Sequence, residues 1–150
     1  MLTFIKTDST NKDFIYLVKF LDADLAIRDG NEHAFYQQFN KIDMLKHVVV
    51  AYIDGQPVGC GAIKEFEPAS MEVKRMYVSP GYRGKGIATQ LLLALENWAA
   101  GLGYAKCVLE TGIRQPEAIS LYLKNGYSIT PNYGQYIGVE NSVCFEKLVQ

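Results

Sequence analysis

Apolar residues recur along this chain with two different spacings, and each spacing predicts one type of element. An apolar stretch over residues 2–6 predicts a short strand, after which Ser9 and Asn11 are candidate helix caps. Two segments then repeat apolar side chains every three or four positions, which predicts two helices. Their apolar faces carry Phe14, Leu17, Val18, Leu21 and Leu25 in the first helix, and Phe35, Phe39 and Ile42 in the second, which is predicted to begin at Asn31.

Three consecutive strands are predicted in the middle of the chain. Residues 47–53 (HVVVAYI) are rich in β-branched side chains, which favour strands. Asp54-Gly55 is a strong hairpin signal that leads into a second strand over residues 57–65. Residues 71–78 (MEVKRMYV) alternate in the manner of a third strand, which ends at Ser79-Pro80-Gly81.

The C-terminal half alternates predicted helices and strands. A firm amphipathic helix carries Ile87, Leu91, Ala94, Leu95 and Trp98. A strand over residues 105–111, a helix over 116–124 and strands over 127–130 and 142–149 follow. This order predicts an α/β fold, a mixed sheet with helices on its faces, in one domain over residues 1–150.

Composition and charge exclude several classes of protein. Apolar residues make up 49% of the chain, and fifteen basic against sixteen acidic residues leave a formal charge of −1. A dedicated nucleic-acid binder needs a clear excess of basic residues, so we expect no nucleic-acid partner. The longest apolar runs, Val48–Ile53 and Leu91–Leu95, are far shorter than the ~20 residues of a membrane span. With no apolar core for a signal peptide near the start, we expect a cytoplasmic protein that does not enter a membrane.

The inventory of metal ligands and thiols is small. Cys60, Cys107 and Cys144 are far apart and form no CxxC pair, and the chain has two histidines. A structural zinc site needs four thiolate or imidazole ligands in paired short spacings. We therefore expect no metal and no disulfide, with the cysteines buried as small apolar residues.

The most informative segment is the glycine-rich turn over residues 78–89 (VSPGYRGKGIAT). A predicted strand ends there, three glycines follow, and a predicted helix begins. Glycines permit positive φ, so several N–H groups can point into one space, and the helix N-terminus adds a partial positive charge. Arg83 and Lys85 add two full charges. The turn therefore predicts an anion site large enough for a pyrophosphate.

Three phosphate-binding motifs compete for this turn. The Walker loop fails because Gly86 stands where Ser or Thr must follow Lys85. The dinucleotide fingerprint GxGxxG meets Thr89 in place of its last glycine. The pattern that fits is R-x-x-G-x-A, at Arg83, Gly86 and Ala88. It resembles the acetyl-CoA signature of the Gcn5-related N-acetyltransferases (GNAT family).

A second block supports this resemblance. Residues 118–127 (AISLYLKNGY) are similar to the family's A-x-x-L-Y-x-K-x-G-[FY] helix, and residues 71–80 resemble its pantetheine-binding strand. The resemblance covers about residues 45–130. It implies the GNAT acyl-CoA N-acyltransferase fold, with a mixed, mostly antiparallel sheet of about six to seven strands flanked by about four helices.

The resemblance also implies how acetyl-CoA is bound as co-substrate. The pantetheine chain is expected on the backbone of Met76, Tyr77 and Val78, and Gln115 stands where many relatives carry a pantetheine-binding Asn. The pyrophosphate is expected at Arg83, Gly84, Lys85, Gly86, Ile87, Ala88 and Thr89.

Two residues are candidates for acid–base catalysis. A phenol with a reference pKa of about 10 is protonated at neutral pH, so Tyr122 can act as general acid toward the coenzyme A thiolate. The alternative is a core tyrosine. Glu72 stands where several family members carry a general base, with a surface carboxylate paired to Lys74 as the alternative. Strand alternation places Glu72 on the same face as Lys74 and Met76.

The sequence leaves the acceptor amine open. Candidate acceptor-binding residues are Arg28, His33, Tyr36 and residues 133–136 (YGQY). Arg28 favours a carboxylate-bearing acceptor such as an amino acid. The N-terminal half, residues 1–72, has a net charge of −4, which favours a polyamine, an aminoglycoside or lysine.

Two function classes therefore stand. The first is an N-acetyltransferase that acts on a primary amine of a small molecule or peptide. The second is a non-catalytic module that binds acyl-CoA and acts as a sensor. The family resemblance and the exposed strand edges of so small a sheet are compatible with a homodimer.

Overall fold

The computed structural model describes residues 1–29 and 44–150, and within them seven strands form one sheet. The strands are β1 (Leu2–Thr7), β2 (His47–Ile53), β3 (Gln56–Glu67), β4 (Ser70–Val78), β5 (Lys106–Gly112), β6 (Ser128–Thr130) and β7 (Ser142–Leu148). The α-helices of these residues are α1 (Lys12–Asp29), α2 (Ile87–Gly101) and α3 (Pro116–Lys124). The predicted elements are confirmed, except that the helix expected from Asn31 lies outside the described residues.

The sheet is mixed and mostly antiparallel, in the order β1-β2-β3-β4-β5-β7-β6. Its one parallel contact joins β4 to β5, and it spans only three residue pairs, Ser70–Glu72 against Lys106–Val108. Beyond Glu72 the two strands diverge, although β4 continues to Val78. The sheet therefore opens in its middle.

Two apolar clusters hold the helices to opposite faces of the sheet. On one face, α2 buries Leu91, Leu92 and Leu95 against residues such as Ile63 and Phe145. On the other, α1 buries Phe14, Leu17 and Val18 against Val48 and Val50. Apart from Leu92, these helix residues are among the apolar positions that the sequence periodicity predicts.

A polar cap fixes the start of α1. The Asn11 side-chain oxygen accepts hydrogen bonds from the N–H groups of Asp13 (2.9 Å) and Phe14 (3.0 Å). Such a cap stabilises a helix by about 1 kcal/mol. Of the two predicted capping candidates, the structure selects Asn11 over Ser9.

A bulge interrupts β4. Cys60 pairs with Tyr77 and Ala62 with Lys74, so two steps along β3 match three along β4. Arg75 adopts φ +59° at this point, and its carbonyl oxygen accepts a hydrogen bond from the Cys60 thiol (3.4 Å). The extra residue reverses the alternation of side chains for the remainder of the strand.

The bulge corrects one sequence expectation. Glu72 and Lys74 share the α1 face, as alternation predicts, because Val73 lies in the cluster of the α2 face. Met76, which alternation also places with Glu72, instead packs against the α2-face cluster. The prediction for Met76 is wrong because the inserted residue shifts the period by one.

We also searched the described residues for membrane-spanning helices, disulfides and metal-binding groups. None of their helices is long and apolar enough to cross a membrane. The thiols of Cys60, Cys107 and Cys144 are free and buried. No group of three or more His, Cys, Asp or Glu side chains within these residues is placed to hold a metal ion.

Candidate active site

The opening between β4 and β5 forms a groove of three adjoining cavities, which share lining residues. The inner cavity is lined by charged residues that include Glu72 and Lys74. The middle cavity runs along Met76, Tyr77 and Val78. The outer cavity reaches the glycine-rich turn. Glu72 forms the last pair between β4 and β5, so it lies where the two strands part.

The outer cavity is shaped by the backbone of the turn. Gly84 has φ +79° and Gly86 has φ +80°, and a Cβ added at either position would meet no atom within 4 Å. Glycine is therefore favoured there by backbone conformation and not by lack of space. Gly86 is the N-cap of α2 and provides no side-chain cap, so the first N–H groups of the helix remain as donors at its positive end.

The structure brings together the predicted pyrophosphate residues other than Lys85, which does not line the outer cavity. The lining of the outer cavity includes Arg83, Gly84, Gly86, Ile87, Ala88 and Thr89. The Ile87 side chain is buried in the core, so its backbone is the part that a ligand can use. Lys124 of α3 completes the cavity on the opposite side.

Arg83 has contacts that its motif does not predict. Its Nε donates a hydrogen bond to the carbonyl oxygen of Val78 (2.7 Å). Its guanidinium lies 5.5 Å from the centre of the Tyr77 ring and 3.8 Å from the Asp24 carboxylate. Arg83 therefore connects the end of β4 to α1, in addition to lining the groove. The Lys85 ammonium lies 5.6 Å from the centre of the Tyr82 ring.

Tyr122 lies on α3 and lines both the inner and the middle cavity. Its ring is 7% exposed and packs 5.8 Å from the rings of Tyr127 and Phe145. Burial, reinforced by the charge of Glu110, raises the pKa of this phenol above its ordinary value. Tyr122 is therefore a core tyrosine that also reaches the groove, and its role as general acid stays a prediction.

Glu72 is buried and has two polar neighbours. Its carboxylate accepts a hydrogen bond from the Tyr133 hydroxyl (2.6 Å) and lies 3.6 Å from the Lys74 ammonium. The alternative for Glu72 is a surface carboxylate paired to Lys74. Glu72 is only 7% exposed, so it does not lie on the surface, but its proximity to Lys74 is observed. Burial, followed by the charge of Glu72, raises the pKa of Tyr133, so this phenol stays a proton donor.

The connection between β6 and β7 closes the inner cavity. One side-chain amide, that of Asn132, donates to the carbonyl oxygens of Tyr136 (3.1 Å), Val139 (3.0 Å) and Ser142 (3.2 Å). Tyr133 packs 4.7 Å from the Phe66 ring, and Tyr136 lines the cavity. Residues 133–136 are acceptor candidates from the sequence. The contact between Tyr133 and Glu72 could not be predicted in the same way, because the two residues are 61 positions apart and no local motif connects them.

Comparison with known proteins identifies the family. The model of the acetyltransferase (GNAT) family matches residues 15–127. The chain belongs to the GNAT family. A GNAT relative named IAA acetyltransferase, from Azospirillum brasilense, is 36% identical over 137 residues, which cover 89% of this chain and 88% of that protein.

Solved structures agree with the GNAT assignment. A Klebsiella pneumoniae protein described as an acyl-CoA N-acyltransferase has a TM-score of 0.84 and 32% identity, and the match covers 100% of this chain and 99% of that one. The PaiA N-acetyltransferase of Thermoplasma acidophilum, solved with coenzyme A, has a TM-score of 0.73 at 19% identity, with 99% of each chain covered. The predicted family, fold and enzyme class are confirmed.

Of the remaining predicted site residues of this GNAT chain, one lines the groove and the side chains of the other three lie outside the described part of the structure. Gln115 precedes α3 and lines both the inner and the middle cavity. Arg28 lies within α1, but its side chain is outside the described part of the structure. His33 and Tyr36 lie outside the described residues, so their proposed acceptor contacts stay predictions.

Proposed function

We propose that this GNAT protein transfers an acetyl group from acetyl-CoA to a primary amine of a small molecule or peptide by direct attack. One observation carries the proposal: a continuous groove has backbone donors at its outer end, a buried carboxylate at its inner end and the Tyr122 phenol between them. Donor binding and proton transfer can therefore occur along one path.

The chain offers matched groups for acetyl-CoA. The first N–H groups of α2 and the Lys124 ammonium suit the phosphates. Among the described residues, 76–78 have no strand partner on the β5 side, so their backbone can hydrogen-bond an extended pantetheine chain as a neighbouring strand would. This fit supports acetyl-CoA as co-substrate, as does the coenzyme A in the complex of the Thermoplasma neighbour.

The residues of the inner end suit acyl transfer. Glu72 accepts a proton from the attacking amine, directly or through a water molecule. As the C–N bond forms, backbone N–H groups of residues 76–78 stabilise the negative charge on the acetyl oxygen. Tyr122 donates its proton to the sulfur as the C–S bond breaks, and it regains a proton from solvent. The products are the acetylated amine and the free thiol of coenzyme A.

Release of free thiol from acetyl-CoA, measured with a mixed panel of amines, tests the proposal. We expect release with at least one amine class and a loss of about 100-fold or more in kcat for Glu72→Gln, with a changed pH profile. Glu65→Gln on the neighbouring strand is a matched control that should keep full activity, because Glu65 is exposed and bonds Tyr104.

Two outcomes contradict the proposal in different ways. If acetyl-CoA raises the melting temperature but no amine releases thiol, the protein is the non-catalytic acyl-CoA sensor. An unchanged pH profile in Glu72→Gln removes Glu72 as the base while leaving the transferase activity in place.

A further inference from the structure

The inner cavity contains two cations that are neighbours in sequence. Lys74 and Arg75 both line it, and their side chains are only 8% and 1% exposed. In a regular strand, consecutive side chains point to opposite faces. The bulge at Arg75 cancels this alternation, so both cations lie on the α1 face together with Glu72.

Arg75 keeps donor capacity in this position. A terminal nitrogen of its guanidinium donates to the Asp22 carboxylate of α1. Its buried Nε has no hydrogen-bond partner among the described residues. A buried donor left without an acceptor destabilises the folded protein, and a bound acceptor would relieve this. An anionic group bound in the inner cavity would find this guanidinium next to it.

The charges of the lining are balanced. Glu72 and Glu110 supply two carboxylates to the lining, and Lys74 and Arg75 supply two cations, of which Arg75 is also paired with Asp22 of α1 outside the lining. A polyamine would bring further positive charge toward Lys74 and Arg75, which is unfavourable in a buried site. An acceptor that carries both an amine and a carboxylate matches both signs of the lining.

The spacing of the charges agrees with such an acceptor. The Lys74 ammonium lies 3.6 Å from the Glu72 carboxylate, so the groups that would receive a carboxylate and an amine are side by side. We infer that the acceptor is an α-amino acid or a similar small amine with a nearby carboxylate, which Lys74 and Arg75 bind while Glu72 faces the amine. This inference rests on the proposed function and names its substrate class.

Matched pairs of acceptors test it on the unaltered enzyme. Each pair consists of a free α-amino acid and its carboxamide, which has the same amine and side chain but no negative charge. Removing the carboxylate also lowers the pKa of the amine, so the carboxamide has more of the reactive neutral form. A preference for the acid therefore reports on binding and not on reactivity.

We expect kcat/KM for the acid to exceed that for the carboxamide by about tenfold or more, the typical effect of one charged hydrogen bond. Equal or better use of the carboxamides overturns the inference. Fastest acetylation of a polyamine that lacks a carboxylate overturns it as well.

A variant of Lys74 tests whether this residue causes the preference for acids over carboxamides. Lys74→Met keeps the length of the side chain and removes its charge. We expect the KM for acids to rise about tenfold while the KM for carboxamides stays unchanged. Lys64→Met is the matched control, since Lys64 is exposed on β3 and lies opposite Glu72 in the β3–β4 register. Equal effects of Lys74→Met on both members of a pair contradict the assignment.

A measurement of acceptor binding without catalysis distinguishes a failure of this inference from a failure of the proposed function. Ligand-observed NMR on the coenzyme A complex measures the same acceptor pairs without turnover, so it applies if no amine is acetylated or if Lys74→Met does not fold. Binding of acids but not of carboxamides to the unaltered protein supports the inference even where catalysis fails. The reverse order overturns it even where catalysis succeeds.

Discussion

At the scale of single residues, the proposed reacting end of the groove depends on phenols and a carboxylate that are buried among other charged side chains. Tyr122, Glu72 and Tyr133 come from α3, β4 and the β6–β7 connection. Burial makes ionisation of both phenols harder, so each stays protonated above the pH at which a solvated tyrosine loses its proton. Tyr122 can therefore donate a proton wherever the amine is neutral enough to attack.

Replacing Tyr122 by Phe removes this proton and keeps the packed ring. We expect kcat to fall by about 100-fold with little change in KM for acetyl-CoA, measured by steady-state thiol release. In the unaltered enzyme, the raised pKa of Tyr122 means that kcat should not decline up to about pH 10 through loss of this proton.

The neighbouring Tyr127 provides the control for this substitution. Its ring lies 5.8 Å from the Tyr122 ring and belongs to the same core cluster. Tyr127→Phe should therefore share any general packing effect but keep kcat. An unaltered kcat in Tyr122→Phe rules out the role of general acid.

At the scale of elements, the start of α2 and the end of β4 use their backbones where many binding sites use side chains. Gly84 and Gly86 hold positive φ at the turn, and no strand in the part of the chain that the structure describes pairs with residues 76–78 on the β5 side of β4. Side chains in these two elements are mostly occupied by packing. Substitutions that distort the backbone should therefore weaken donor binding far more than substitutions that change a side chain.

A comparison of three variants tests this asymmetry by calorimetry with acetyl-CoA. Gly86→Val should abolish binding, because a β-branched residue at φ +80° forces the turn to change shape. Met76→Leu should leave the affinity nearly unchanged. Gly81→Val is the matched control within the turn, since Gly81 has open space and no positive φ. Equal losses in Gly86→Val and Met76→Leu would refute the backbone account.

The same contrast explains what the sequence could predict. Gly84, Gly86 and Tyr122 belong to short motifs whose chemistry is local, so their place in the groove follows from sequence. The bulge does not, because an arginine at φ +59° has no signature and is held there by contacts with Cys60 and Asp22. The pairing of Tyr133 with Glu72 depends on the path of the whole chain through the sheet.

At the scale of the whole molecule, two parts of one sheet meet across a short seam. Strands β1–β4 lie on one side and β5–β7 on the other, and three residue pairs join them. The groove runs between these two parts, so a ligand in it contacts both. Bound acetyl-CoA should therefore connect the two parts of the sheet and stabilise both of them, in addition to the glycine-rich turn.

Hydrogen exchange with saturating acetyl-CoA tests this bridging. We expect slower amide exchange both in residues 76–89 and in residues 115–122, with stabilisation of about 2.7 kcal/mol at a concentration 100 times Kd. ATP at the same concentration serves as control and should protect less, because it lacks the pantetheine chain. Protection confined to one side of the seam would contradict a bridging ligand.

The tether formed by Asn132 has a consequence for how new activities could arise. Its amide fixes the shape of the β6–β7 connection, which closes the inner cavity but contributes nothing to the lining of the outer one. A mutant library that keeps Asn132 and the Glu72 partner Tyr133 and randomises residues 134–141 should therefore change the choice of amine while leaving the acetyl-CoA site intact. Selection on such a library offers a route to re-engineered acetylation catalysts built on this scaffold.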